Sequence, residues 1–183
     1  MRWEDLFADL EAQVDAAEHA RLGVEVADRS RRETARIRLA DRLRCAVDQR
    51  VGLHVSGAGQ FTAVVRDVGV DWLLVEERPG SRALIPASAL LGVTGLGAYA
   101  DLPVVGVVPR RLGLSYVLRG VARDRAPVTV VCVDGSAVTG TLDRVGADFV
   151  DVAEHPVGES RRRHEVRAVR AVAFTALGLL RSA

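Results

Sequence analysis

The stretch Gly140 to Val152, GTLDRVGADFVDV, repeats the pattern of Ala63 to Val75, AVVRDVGVDWLLV. Each contains an apolar residue, two polar residues, Val-Gly, any residue, Asp, an aromatic and then apolar alternation. A chain that writes one turn twice must fold the flanking segments alike, so this duplication constrains the architecture more than any other feature. Extending it upstream pairs RIRLADRLRCAV with RLGLSYVLRGVA and Val51 with Val128. Downstream, Val65 meets Leu142, Val75 meets Val152, and IPASALLGV faces VAFTALGLL. The spacing is 77 residues and grows to 87 where the short RPGSR gives way to HPVGESRRRHEV.

Within each half the hydrophobic period points to the same order of elements. A helical run leads, and period-two segments such as VGLHV, QFTAVV, DWLLVEE and RALIP follow, separated by turn-rich SGAG, RDVGV and RPGS. The second half answers with VTVVCV, an Asp134-Gly135 hairpin turn, AVTGTL, DFVDVAE and VRAVRAV. In the duplicated unit, Gly69 and Gly146 are expected to take the positive φ of a tight turn, and Asp71 and Asp148 to accept turn amide hydrogens. Trp72 and Phe149 then begin the next strand from within the core.

A helix leading into five bent antiparallel strands resembles the Sm-like small barrels, a subset of the SH3-like fold. The resemblance rests on VTVVCVDGSAVTGTLDRVGADFVDVAE and its counterpart VGLHVSGAGQFTAVVRDVGVDWLLVEE, with Gly140 placed to permit the bend that closes such a barrel. It implies an α+β chain: an N-terminal helical segment at residues 1–35, a first barrel with its leading helix at 36–96, a connector at 97–110 and a second barrel with its helix at 111–183. The chain also resembles a group of uncharacterised conserved actinobacterial proteins that share the opening MRW…LFADLEAQ, which brings no activity with it. The uridine pocket of RNA-binding Sm-like proteins uses an Asn before the third strand, and this chain has no Asn.

Ahead of the duplication, Trp3, Phe7, Leu10 and Val14 recur at steps of four and three, the spacing of a coiled-coil seam. Glu4, Glu11, Glu18 and Glu25 repeat every seven residues beside it. The seam suits either a helical hairpin or a longer helix pairing with a second chain, so these four apolar residues are candidate self-association contacts.

Composition narrows the function classes. At 49% hydrophobic and 27% charged, the chain reads as a soluble globular protein. Cys45 and Cys132 form no Cys-x-x-Cys pair, so neither a disulfide framework nor a metal site is expected, and a reducing cytoplasm is the natural compartment. The opening acids argue against an export signal, and Pro86, Gly92, Gly95 and Gly97 interrupt the one uncharged window, so no membrane span is expected. His19, His54, His155 and His164 lack metal-ligand spacing, and no nucleophile elbow or phosphate-cradling loop precedes a helix. No catalytic residue, cofactor or small-molecule substrate is therefore expected.

All 25 basic residues are Arg, and residues 110–183 carry 12 of them against 8 acids. The densest cluster, Arg161, Arg162, Arg163, His164, Arg167 and Arg170, is the candidate for RNA or DNA contact, since guanidinium groups pair bidentately with phosphate. Base-stacking aromatics are missing beside it, and Glu159 and Glu165 flank it. The leading expectation is a non-enzymatic cytoplasmic adaptor or assembly module that works through protein contacts or self-association. A nucleic-acid-binding regulator using the arginine loop is the alternative.

Overall fold

The computed structural model describes residue 21, residues 28–29, 31–97, 112–155 and 168–182. The chain divides into two compact units, Met1–Arg38 and Leu39–Ala183. In the first, residues 31–34 are helical. Arg29 and Arg31 there make short-range ion pairs with Glu33 and Asp28 along the chain. Trp3, Phe7, Leu10 and Val14 lie outside the described residues.

The second unit holds both halves of the duplication. Helix α1 (Leu39–Cys45) precedes β1 (Arg50–Val55), β2 (Gly59–Val68), β3 (Trp72–Arg78), β4 (Ser81–Pro86) and β5 (Leu90–Thr94). Helix α2 (Leu114–Asp124) precedes β6 (Pro127–Cys132), β7 (Ala137–Val145), β8 (Phe149–Glu154), β9 (Ala168–Ala173) and β10 (Leu177–Ser182). Leu114, Val117, Leu118 and Val121 stack along one face of α2, which buries Leu114 and Leu118, and Arg125 ends the helix in the left-handed conformation at φ 52°.

The structure corrects the expected fold class. The ten strands form one continuous, open antiparallel sheet in the order β5-β1-β2-β3-β4-β10-β6-β7-β8-β9, not two five-stranded Sm-like or SH3-like barrels. Closing a barrel would require β4 to return to β5 of its own half. Instead β4 pairs with β10 of the other half, Leu84 opposite Leu180 and Ala83 opposite Arg181. Where β4 and β10 meet, each supplies partners to backbone groups that the other would otherwise leave unpaired.

Within this sheet the duplication holds strand by strand. The β2–β3 ladder slips at Val65/Asp67 and the β7–β8 ladder slips at the matching Leu142/Arg144. Single 3-10 turns occupy Ala87–Ala89 and Phe174–Ala176, the same place in both halves. Two buried clusters lie along the sheet, and each borrows from the other half. The first centres on Leu53, Val65, Val75 and Ile85 and includes Val131 and Leu179, while the second centres on Leu118, Val130, Leu142 and Val150 and includes Trp72 and Leu84.

Candidate interaction surface

Among the described residues, the junction between halves combines backbone pairing, an anchored helix, an ion pair and side-chain hydrogen bonds. The Asp71 carboxylate accepts the Leu114 N–H at 2.8 Å, and the Trp72 indole N–H donates to the Leu112 carbonyl at 2.8 Å. The duplicated turn of the first half thus holds the leading helix of the second. Arg181 Nε donates to Glu77 Oε1 at 2.7 Å, and its guanidinium lies 5.7 Å from the Phe61 ring centre. Ser182 Oγ accepts the Arg82 N–H at 3.2 Å.

The four turn residues therefore play roles that differ from the expected ones. Gly69 and Gly146 lie between strands as expected, yet neither is among the glycines with positive φ. Each is glycine for want of space: an added Cβ would lie 2.2 Å from the Trp72 indole nitrogen at Gly69, and 2.3 Å from a Phe149 ring carbon at Gly146. Both also donate backbone hydrogen bonds, to Trp72 O and Phe149 O, at 2.9 Å. Asp71 caps a helix 43 residues further on and does not close its own turn. Asp148 is exposed, and among the described residues no hydrogen bond to its carboxylate is formed. Gly140 likewise marks a close approach, since a Cβ there would meet the Ala153 carbonyl oxygen at 2.0 Å.

The ends of the sheet contrast with its middle. Strands β4 and β9 are the fourth strands of their halves, but β4 buries Ala83, Leu84, Ile85 and Pro86, whereas β9 buries only Val172. Val169, Ala171 and Ala173 stand exposed in a row on β9, Val169 at 58%, and no described strand pairs with its outer edge. At the other end, β5 exposes Leu91 at 60%. Beside it Gly52, His54, Gln60, Thr62, Gly92 and Thr94 floor a shallow depression of about 490 Å³.

Of the arginine cluster, Arg161, Arg162, Arg163, His164 and Arg167 lie outside the described residues. Arg170 stands on β9 and donates to Glu154 at 2.6 Å, a contact that holds its guanidinium further toward the charged form. Cys45 and Cys132 are free thiols. Among the described residues no group of three or more His, Cys, Asp or Glu is placed to hold a metal ion, and no helix is long and apolar enough to cross a membrane. The alternation in VRAVRAV identified β9 as a strand, but period two cannot say which strand ends a sheet, so the exposed edge and Leu91 escaped the sequence reading. Comparison with protein-family models, curated proteins and solved structures finds no match to this chain.

Proposed function

We propose that the protein is a non-enzymatic cytoplasmic assembly module that docks a protein partner along the open β9 edge. One observation carries this reading: β4 and β9 are the same strand of the repeat, and the positions that β10 and α2 cover on β4 are bare on β9. An edge of this kind takes up an added strand through its main-chain groups, while the exposed Val169, Ala171 and Ala173 row supplies shallow apolar contact. Charged residues and prolines usually blunt such an edge, and Arg170, the charged residue of β9, is tied back to Glu154.

A photo-crosslinking amino acid placed at Val169 tests the proposal, with the equally exposed Val70, in the turn after β2, as the control. In cells making the protein at its native level, a discrete heavier adduct is expected from position 169 and not from 70. Equal labelling from both positions, or none from 169, sinks the proposal. An adduct at 169 that a charged Ala171→Glu change abolishes would localise the docking to the strand itself.

A further inference from the structure

We infer that Leu91 and Asp134 act as stop residues, which prevent the β4–β10 junction from being repeated between copies of the chain. The inference goes beyond the docking role of β9 and holds whatever partner that edge takes. A duplicated sheet of this kind invites runaway growth. It ends in β9, the counterpart of β4, and in β5, the counterpart of β10. A second copy could in principle place its β5 against β9 as β10 lies against β4, giving a head-to-tail contact that closes into a ring or runs on as a fibre.

The internal junction shows what such a contact requires. The turn after β1 lies across β6 and β10, and Ser56 Oγ donates to the Val133 carbonyl at 3.2 Å. Two glycines make the approach possible. A Cβ at Gly57, whose φ is +74°, would sit 1.8 Å from the Cys132 carbonyl oxygen, and one at Gly178 would sit 2.5 Å from the Ser56 carbonyl oxygen. At those distances main chain meets main chain, so no side chain can turn away to make room.

The register fixes the counterparts of these two glycines. In the first half Val55 pairs with Leu90 and His54 with Gly92, leaving Leu91 at the irregularity. In the second Cys132 pairs with Leu177 and Val131 with Leu179, leaving Gly178 at the same irregularity. The turns begin alike, Ser56 N donating to Ala89 O and Val133 N to Ala176 O at 2.9 Å each, and differ at the tip, where Gly57 has positive φ and Asp134 does not. Gly57 therefore corresponds to Asp134, and Gly178 to Leu91. A head-to-tail neighbour would set the Val133–Asp134 turn against Leu91 and the backbone at Val55, places where the internal junction has Gly57 and Gly178. Asp134 cannot swing aside cheaply, because its carboxylate accepts both the Ser136 N–H at 2.9 Å and the Ser136 hydroxyl at 2.7 Å. Both sides of the would-be contact thus carry side chains where the internal contact has none.

A disulfide trap reads the head-to-tail contact alone. Leu84 opposite Leu180 corresponds to Ala171 opposite Val93 of a neighbouring copy, so Ala171→Cys with Val93→Cys, in a chain carrying Cys45→Ser and Cys132→Ala, links copies only if the junction repeats. Under mild oxidation the trap is expected to stay monomeric on a non-reducing gel. Adding Leu91→Gly and Asp134→Gly should produce a ladder of multimers, with at least a several-fold rise in linked product. A ladder of equal yield without the glycine changes, or no ladder with them, overturns the inference. Gly178→Ala provides a second measurement that does not depend on assembly: it should lower the thermal midpoint clearly, and an unchanged midpoint would remove the steric premise.

Discussion

Asp71 and Asp148 occupy the same place in the two halves, yet only Asp71 caps a helix, so replacing each with Ala separates the cap from the turn. The first residues of α2 leave backbone N–H groups without intrahelical partners, and Gly113 at the N-cap position has no side chain to offer. Asp71 Oδ1 fills that role from 43 residues away. Losing a capping carboxylate costs about 1 kcal/mol. For a unit of this size that is a fall of roughly 3–4 °C in Tm. The helix should remain docked, because burial of Leu114 and Leu118 contributes about 1.5–3 kcal/mol each, more than the cap, and the Trp72 contact to Leu112 persists. Urea unfolding should show Asp71→Ala destabilised with an unchanged m-value, and amide exchange at Leu114 should accelerate. Asp148→Ala should lie within about 0.5 kcal/mol of the parent. Equal costs for the two substitutions, or no measurable cost for Asp71→Ala, would refute the assignment of the cap.

Thr141 and His155 are both buried, with Thr141 Oγ1 2.7 Å from His155 Nε2. Thr141→Val keeps the shape and removes this partner of the imidazole, so a loss of about 1–3 kcal/mol is expected in denaturant unfolding, and the Thr141→Val, His155→Leu pair should cost less than the sum of the single changes. Glu76 accepts the Gly80 N–H at 2.8 Å and an Arg66 nitrogen at 2.6 Å, which together hold its carboxyl below the ordinary glutamate value of 4.5. Because the folded value is depressed, the stabilisation is present above 4.5 and is lost as pH falls through the lower folded value. The stability gap between the parent and Glu76→Gln should therefore be full near neutral pH and close in acid; a gap that widens in acid contradicts the sign.

The duplication in VGVDW and VGADF located the strands and the two leading helices, because those follow from local period and turn chemistry. The continuity of the sheet was not legible. Whether RALIP returns to its own half's fifth strand or takes the other half's is a competition between edges with the same alternation, decided by packing far along the chain. Trp72 shows the same limit: its pattern marks a buried aromatic, but it lies in the second half's cluster with Leu114 and Leu118. The turn pattern predicts conformational glycines at Gly69 and Gly146, yet they are spatial, since sequence alone does not show a ring lying over a backbone.

The places where the halves differ say more about assembly than the places where they agree. A repeat that only copied its junction would present complementary edges at both ends and polymerise. Here the two close backbone approaches fall at Gly57 and Gly178, one on each side of the junction, while their counterparts are Asp134 and Leu91. The apolar row that β10 and α2 cover on β4 shrinks from Leu84 and Pro86 to Ala171 and Ala173 on β9. A neighbour repeating the junction would thus meet side chains in place of both glycines and gain less apolar burial, so both effects oppose growth. An incoming strand that brings neither Leu91 nor the β1 backbone with it meets neither obstacle, so the proposed docking on β9 is compatible with refusal of the chain's own edge.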